Sequence, residues 1–298
     1  MRITNKLGLP EAFRKACEVK HRQGDYSVTQ LLKPAQEIAL SIMLDSVLED
    51  DCADRFWAVF GTAVHKVFEG EKEAGVLNEA FLEADIDGHK VTGQADIVDF
   101  NENIIKDYKT CSVWKFRLPD SDFSDWENQL RAYCYLWNKA HENCWENNIY
   151  YIDRGQIIAI LRDWSQTEAE RDKEYPQSPV QVVNFSFTPE QIEAVAEEWS
   201  QKISDVEFLI GQCMKNGIKE MGFCPDKDTW TTQTTWAVMK EGRKSAVRVF
   251  DNKEQAEELA DTDKTYSVQE RKGEHKKCER YCIIAKNGFC RGCKNADH

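Results

Sequence analysis

The spacing of apolar residues divides most of the chain into helices and strands. Repeats of about 3.6 residues mark helices, and two-residue alternation or short apolar runs mark strands. The clearest helix is 53–75, where Phe56, Phe60, Val64 and Phe68 recur on one side. The predicted helices are 27–45, 53–75, 126–140 and 189–211, and the predicted strands are 81–87, 91–99, 104–110, 180–187 and a pair within 148–164.

The order of these elements predicts an α/β fold with a central mixed β-sheet flanked by helices. Thr188, Pro189 and Gln191 have the N-cap, N1 and N3 residue types of a capping box, which marks the start of the last long helix. A polar stretch at 224–235 then precedes two or three short strands and a helix. We expect a core domain over 1–225, a small ββα subdomain over 226–270 and a cysteine-rich tail over 271–298 that packs on the core.

The composition is that of a folded protein without membrane spans. Hydrophobic residues make up 41% of the 298 residues, and no apolar run is long enough for a transmembrane helix. The first residues lack the apolar segment of a signal peptide, so we expect a cytoplasmic protein whose eleven cysteines are thiols or metal ligands. The net charge of −13 argues against a uniformly basic surface, but it leaves room for a local basic groove that binds nucleic acid.

The segment VTGQADIVDFNENIIKDYKT places charged residues where a buried hairpin would have apolar ones. If its turn centres on Asn101 and Glu102, two aspartates face each other. Asp96 then lies opposite Asp107, and Lys109 shares the face of Asp107. Burying these charges unpaired is costly, whereas a divalent cation between the carboxylates offsets the cost, and oxygen ligands favour Mg²⁺ or Mn²⁺. The alternative is a surface hairpin whose charges point to solvent.

Two helices carry further polar residues that can reach the same place. His65 lies in an apolar helix four residues after Gly61, and its imidazole can serve as a metal ligand. Gln129 and Tyr133 lie one turn apart on one helix face, so both can reach one cleft. The alternatives are a histidine that hydrogen-bonds within the core and an ordinary amphipathic helix.

Taken in order, four motifs resemble the RecB-like branch of the PD-(D/E)XK nucleases, as in phage or CRISPR-associated exonucleases. They are GTAVH at 61–65, GQAD at 93–96, DYK at 107–109 and QLRAY at 129–133, within a resemblance that covers about residues 27 to 215. The resemblance implies a restriction-endonuclease-like core and metal-dependent cleavage of DNA. It implies that Lys109 is the catalytic lysine, with Asp107, Asp96, Gln129 and Tyr133 completing the site. The implied metal ligands are His65, Asp96, Asp107 and the backbone carbonyl of Tyr108. Glu69 and Glu83 are weaker candidates for side chains that support these ligands without binding the metal themselves.

Basic and aromatic residues next to the DYK motif are candidate DNA contacts. Trp114, Lys115 and Arg117 follow that strand, and such a mixture can stack on a base and hold a phosphate. Arg131, on the QLRAY helix, is a fourth candidate. The alternative is an ordinary loop anchored by its aromatic residues.

Four cysteines, Cys278, Cys282, Cys290 and Cys293, lie within sixteen residues near the end of the chain. Such spacing in a reducing compartment favours zinc or an iron–sulfur cluster, and spacing alone does not separate the two. Some RecB-like nucleases carry an iron–sulfur cluster held by one cysteine ahead of the G-x-x-x-H helix and three near the C-terminus. The segment LLKPAQEIAL, where the early cysteine would be expected, contains none.

Three arrangements of the tail cysteines therefore stay open. The four form a site alone, three of them combine with an earlier cysteine, or none binds a metal. Cys17 and Cys52 are poorly placed as the earlier ligand. The remaining cysteines are predicted to be small packing residues, namely Cys111, Cys134, Cys144, Cys213 and Cys224.

These observations together favour a metal-dependent DNA nuclease, and an exonuclease over a sequence-specific endonuclease, in phage or bacterial DNA recombination, repair or processing. No module for reading bases and no P-loop motif occurs, so a recombination or helicase protein would be a separate partner. One alternative is a catalytically silent DNA-binding or assembly protein that kept the fold. Others are a redox or regulatory module built on the cysteines and a nuclease that acts on RNA.

Overall fold

The chain forms two compact units, Met1–Phe208 and Leu209–His298, and the boundary falls within one long helix. Each unit has a β-sheet of its own. None of the helices described is both long and apolar enough to cross a membrane. The computed structural model describes residues 1–18, 23–70, 73–118, 121–142, 151–218 and 224–290.

The first unit is built on a mixed six-stranded sheet, which confirms the predicted α/β class. The strands of this unit are β1 Arg2–Thr4, β2 Tyr26–Ser27, β3 Glu49–Asp51, β4 Val76–Ile86, β5 His89–Asp99, β6 Ile104–Cys111, β7 Arg154–Leu161 and β8 Val180–Ser186. The main sheet has the order β2-β5-β6-β7-β8, with β4 paired along β5, while β1 and β3 form a separate parallel pair. Within the main sheet β2–β5 and β6–β7 are parallel, and the other pairs are antiparallel.

A two-residue turn sets the register between β4 and β5. Asp87 and Gly88 both have left-handed backbones, with φ of 51° and 82°, as a type I′ turn requires. Ile86 therefore lies opposite His89, and the same register continues along both strands.

The turn between β5 and β6 centres on Asn101 and Glu102, as predicted. Asp99 lies opposite Ile104, and the Asp99 carboxylate oxygen Oδ1 accepts the backbone N–H groups of Asn101 and Glu102 at 2.9 and 3.2 Å. The aspartate side chain thus satisfies the turn's own donors and holds the register of the hairpin.

Helices pack on this sheet and carry several of the predicted site residues. The sheet glycine Gly155 makes room for one of them, because a Cβ there would lie 2.8 Å from Leu130 Cβ. The helices of the first unit are α1 Glu11–Ala16, α2 Val28–Leu31, α3 Ala35–Met43, α4 Phe56–Glu69, α5 Trp114–Arg117, α6 Ser124–Ala140 and α7 Gln166–Arg171, and α8 Pro189–Asn216 leads into the second unit.

Helices α4 and α6 lie against opposite faces of β6. Gly155 is paired with Ile105, so α6 lies on the face that Ile105 shares with Asp107. On the other face the Phe68 ring of α4 stacks on Tyr108 with ring centres 4.7 Å apart. The two helices are anchored very differently, because nine residues of α6 are buried and no residue of α4 is.

Several predicted boundaries are wrong, each for a local reason. Helix 27–45 is split into α2 and α3 because Pro34, which lacks an N–H, occupies the N-cap position of α3. Helix α4 ends at Glu69 rather than at 75, and α8 runs on to Asn216. Residues 151–153 are not a strand, and the rest of the first strand predicted within 148–164 lies outside the described residues apart from Arg154, where β7 begins.

The predicted capping box is confirmed at the start of α8. The Thr188 backbone N–H donates to Gln191 Oε1 at 2.8 Å, and the Gln191 backbone N–H donates to Thr188 Oγ1 at 3.3 Å. Each side chain therefore satisfies a backbone donor of the other residue.

The second unit holds a three-stranded antiparallel sheet, which agrees with the two strands, helix and third strand predicted there. Its strands are β9 Thr235–Lys240, β10 Arg248–Phe250 and β11 Tyr266–Arg271, with β9 in the centre. Its short helices are α9 Asp226–Thr229, α10 Lys253–Ala260, α11 Lys276–Arg280 and α12 Ile283–Lys286.

Candidate metal and catalytic site

The main sheet opens beside β5 at the GQAD motif. On one edge of β5, β2 pairs with residues 91–92 and β6 pairs with residues 97–99. Residues 93–96 have no strand partner on that edge among the described residues, while β4 pairs along the other edge. Asp96 occupies this opening, and its Oδ2 accepts the backbone N–H of Tyr108 at 2.7 Å. The carboxylate thus takes the place of a ladder bond where β5 and β6 separate.

His65, Glu79 and Asp96 come together at this opening. Their candidate ligand atoms all lie within 4.8 Å of one another, and His65 Nδ1 is 3.1 Å from Asp96 Oδ1. Glu79 belongs to β4, where its neighbours Asn78 and Ala80 face Ile97 and Ala95, so Glu79 is opposite Asp96. The Glu79 backbone has a φ of 52°, a left-handed conformation that costs energy for a residue with a side chain.

The charges of this trio are poorly balanced. Burial raises the pKa of Glu79, and the neighbouring carboxylates Asp96 and Glu69 raise it further. The hydrogen bond to Asp96 raises the pKa of His65, against the opposite effect of burial. Two carboxylates and an imidazole are the donor types that bind hard or borderline divalent cations, and such a cation would compete with the His65 proton.

Asp107 and Lys109 form a second part of the site on β6. Asp107 is 2% exposed, and Lys109 Nζ lies 2.6 Å from its Oδ2. The approach lacks hydrogen-bond alignment, so Oδ2 stays a buried oxygen with no hydrogen-bond partner among the described residues. Burial raises the pKa of Asp107 to about 6, the Lys109 ammonium opposes that shift, and Asp96 adds to it.

Gln129 and Tyr133 meet each other on α6, and both are buried. Gln129 Nε2 donates to the Tyr133 hydroxyl oxygen at 2.8 Å, which leaves the hydroxyl proton as a donor. Burial raises the pKa of Tyr133, and Asp107 and Asp96 raise it further, so the phenol stays neutral beside these carboxylates. The ring is seated by Gly93, where a Cβ would be 2.9 Å from Tyr133 Cε1.

The structure thus brings six predicted residues into one neighbourhood and adds a seventh that the sequence analysis missed. Glu83, a predicted candidate, instead pairs with Lys90 at 2.7 Å, and both side chains are about half exposed. Glu79 could have been found from the Asp-Gly pair at 87–88, because a two-residue turn there places Glu79 opposite Asp96. The role of the Tyr108 carbonyl as a ligand stays a prediction, and the described bond at Tyr108 is the one from its N–H.

Two arginines predicted as DNA contacts are engaged within the protein. Arg131 makes a two-pronged ion pair with Glu198, with distances of 2.6 and 2.9 Å. Arg117 pairs with Asp172 at 3.0 Å and lies over the Trp114 ring. A phosphate would have to compete with these carboxylates for either guanidinium group.

The other two predicted DNA contacts differ in exposure. Lys115 donates to the backbone carbonyl of Asp122. Its Nζ lies 5.2 Å from the centre of the Phe123 ring and 5.1 Å from the centre of the Trp126 ring. Trp114 is 56% exposed. Trp114 therefore keeps a ring surface available for stacking, whereas Lys115 is already held by its neighbours.

No family model and no curated protein matches the chain. Among solved structures, the protein SSO0001 is 15% identical, with 66% of this chain and 84% of that chain covered and a TM-score of 0.42. A phage-related exonuclease from Haemophilus somnus 129PT is 15% identical (68% and 89% covered, TM-score 0.37), and an alkaline exonuclease from Laribacter hongkongensis is 9% identical (65% and 94%, TM-score 0.37). Likeness at this level leaves the activity to be inferred from the residues of the site.

Proposed function

We propose that the protein is a metal-dependent nuclease that hydrolyses phosphodiester bonds in DNA. One observation carries the proposal: the ligand atoms of His65, Glu79 and Asp96 converge at the opening of the sheet, next to the buried pair Asp107 and Lys109. A structural role alone does not account for three acidic groups at one buried place, because each raises the cost of ionising the others.

The residues present fit a divalent cation. Glu79 and Asp96 offer carboxylate oxygens, His65 offers an imidazole nitrogen, and Asp107 offers a buried oxygen without a hydrogen bond. Predominantly oxygen donors suit Mg²⁺ or Mn²⁺. When bound, such an ion lowers the pKa of coordinated water and offsets negative charge on a phosphate.

The side chains around that place have separable tasks. The Lys109 ammonium is 23% exposed, so it can reach a substrate phosphate while Asp107 holds it from the buried side. Tyr133 stays protonated and can donate to an oxygen, and Gln129 fixes the direction of its hydroxyl. The bond from the Tyr108 N–H holds the Asp96 carboxylate in place.

We further propose exonucleolytic action in phage or bacterial DNA recombination, repair or processing. The support is the set of four motifs and the lack of a base-reading module in the sequence. A cytoplasmic location and a separate recombination or helicase partner are part of the same proposal. That a metal, as zinc or an iron–sulfur cluster, binds at the tail cysteines stays a prediction, and Cys293, one of the four cysteines predicted there, lies outside the described residues.

The test compares end-labelled linear DNA, closed circular DNA and RNA of the same sequence in Mg²⁺, Mn²⁺ or EDTA. Glu79→Gln, Asp107→Ala and Lys109→Ala are expected to abolish cleavage. Glu83→Gln is the matched control, because Glu83 lies on the same strand but pairs with Lys90 at the surface. Loss of linear DNA only would support an exonuclease, and cutting of the circle would make the enzyme an endonuclease.

Metal binding is read separately from cleavage. Wild-type protein is expected to bind Mn²⁺, followed by electron paramagnetic resonance, and Glu79→Gln to bind it much more weakly. DNA binding without cleavage in either metal would favour the catalytically silent alternative. Equal activity of Glu79→Gln and Glu83→Gln would contradict the site described here.

A further inference from the structure

The second unit contains a cluster of four cysteines, three of them from the predicted tail site and one that the sequence did not single out. Cys224, expected to be a scattered packing residue, lies with Cys278, Cys282 and Cys290. Cys278 and Cys290 are each 8% exposed, and Cys224 and Cys282 are half-buried. Cys224 is therefore not isolated from the tail cysteines, because the chain between α8 and β9 returns to the tail.

Contacts between α9 and α11 bring Cys224 to the tail. Cys224 directly precedes Pro225, the N-cap residue of α9, and α9 packs against α11, which carries Cys278. After α9, Thr231 and His275 form an antiparallel bridge, and Thr231 Oγ1 lies 2.8 Å from His275 Nδ1. The segment that follows Cys224 is thus paired with the segment that precedes Cys278.

The backbone next to this bridge is closely packed. The Thr232 N–H donates to the Glu274 carbonyl at 3.0 Å, and the Glu274 N–H donates to Thr232 Oγ1 at 2.9 Å. A Cβ on Gly273 would lie 2.0 Å from the Thr232 carbonyl oxygen, so only glycine fits there. The approach of the Cys224 segment to the tail is therefore fixed by main-chain contacts that do not involve the thiols.

The tail folds back between Cys282 and Cys290. Cys282 lies directly before α12, whose Ile284 and Ala285 are each 1% exposed. A left-handed turn at Gly288, with φ of 74°, and a bond from the Phe289 N–H to the Ile284 carbonyl then return the chain, so that Cys290 comes back to the cluster.

The charge of the tail suits a cluster of thiolates. Burial and the neighbouring Cys290, Cys278 and Cys282 thiols together raise the pKa of Cys224 to about 12. A metal ion reverses this situation, because coordinated thiols lose their protons. Residues 271–290 include six lysines and arginines against two glutamates, which offsets the negative charge of several thiolates.

We propose that Cys224, Cys278, Cys282 and Cys290 together bind one thiophilic metal centre, either zinc or an iron–sulfur cluster. Four thiolates complete a tetrahedral zinc site or an iron–sulfur cluster, so Cys293 is not required. Each thiol releases a proton when the metal binds, and zinc binding transfers no electron. A cluster needs ferric as well as ferrous iron together with sulfide, so that thiolates, iron and sulfide combine without any further oxidant. The site lies within one unit and does not depend on the proposed nuclease activity.

The first test uses the full-length wild-type chain. The protein is purified without oxygen, analysed for zinc, iron and sulfide, and, where empty, reconstituted with zinc or with ferrous iron, ferric iron and sulfide. Metal-loaded and stripped samples are then alkylated in the native state, and the modified cysteines are located by mass spectrometry. We expect the metal to protect Cys224, Cys278, Cys282 and Cys290 and to leave Cys293 reactive.

Two results of this test would overturn the proposal. One is metal-dependent protection of Cys293 with Cys224 equally reactive in both samples. The other is failure to bind either metal under both reconstitutions. Zinc content without sulfide identifies a zinc site, and matched iron and sulfide with visible absorption identifies a cluster.

Variants provide the second test. Cys224→Ser is expected to lose the bound metal, whereas Cys213→Ser is expected to keep it. Cys213 is the matched control, because it is a buried cysteine of the same unit that lies on α8. Full metal content in Cys224→Ser would contradict the proposal, and if that variant fails to fold, the alkylation pattern of the wild type decides.

Discussion

Two motif glycines are expected to respond to the same substitution in opposite ways. Gly61 lies inside α4, and a Cβ there would be 3.6 Å from Thr110 Oγ1, an ordinary contact. Alanine is the better helix former by about 0.8–1 kcal/mol. We therefore expect Gly61→Ala to stabilise the first unit by about 0.5–1 kcal/mol, because it removes backbone freedom from the unfolded chain.

Gly93 has no such room. A Cβ there would lie 2.9 Å from both Tyr133 Cε1 and Val28 Cγ2, and 3.2 Å from Leu136 Cδ1. All three neighbours are at most 4% exposed, so they cannot move into solvent. Overpacking of this kind costs about 1–3 kcal/mol. Displacement of Tyr133 would also disturb its bond to Gln129, so Gly93→Ala should lower cleavage as well as stability.

Thermal unfolding in EDTA measures both effects without a contribution from bound metal. For a unit of this size each kcal/mol shifts the midpoint by about 2–4 °C. Gly61→Ala should therefore raise the midpoint by about 1–4 °C, and Gly93→Ala should lower it by about 2–12 °C. Equal destabilisation by the two variants, or no effect of Gly93→Ala, would refute the packing described around Tyr133.

Three further substitutions test other parts of the first unit. Asp107→Asn should stabilise the metal-free protein at pH 8, because burial raises the folded pKa of Asp107 from 3.8 to about 6, and this cost of ionisation outweighs the lost pair with Lys109. Wild-type stability in EDTA should accordingly fall as the pH rises through about 6, and a wild-type midpoint that does not move between pH 5 and pH 8 would contradict this. Arg131→Ala should cost about 1 kcal/mol in urea unfolding by removing the pair with Glu198, yet leave DNA cleavage unchanged, and a large loss of activity would restore Arg131 as a DNA contact. Thr188→Ala should cost about 1 kcal/mol at the α8 N-terminus, and an unchanged unfolding midpoint would show that this cap does not limit stability.

Local patterns predicted the elements well wherever one face of an element is buried. Helix α6 and strands β5 and β6 lie within two residues of their predicted positions, because apolar periodicity reflects the burial that stabilises them. The turn at 101–102, which was assumed in order to place Asp96 opposite Asp107, agrees with the register. Helix 27–45 failed because its apolar spacing continues across Pro34, where the backbone cannot.

Only part of the site was predicted, because the sequence does not show how residues far apart in the chain pair with each other. Asp96, Asp107 and Lys109 follow from one hairpin, so their proximity needs only local information. Glu79 depends on the register of a second hairpin, and Cys224 reaches the tail through tertiary contacts more than forty residues away in the chain. Arg131 looked available because no local pattern reveals its partner Glu198 on α8.

The weak anchoring of α4 affects how tightly a metal would bind, because α4 carries one of the candidate ligands. The helix buries none of its residues, yet it carries His65, while Glu79 and Asp96 belong to the sheet. A bound ion would therefore link α4, which is held by few buried contacts, to strands β4 and β5 of the sheet. If α4 must dock on the sheet before the ion binds, the free energy of docking reduces the apparent affinity for the metal. A higher metal concentration should then increase the fraction of molecules in which α4 is docked. Amide hydrogen exchange in α4 should slow in Mg²⁺ for the wild type but not for Glu79→Gln. Wild-type exchange rates that do not change with Mg²⁺ would show that docking of α4 is not coupled to metal binding.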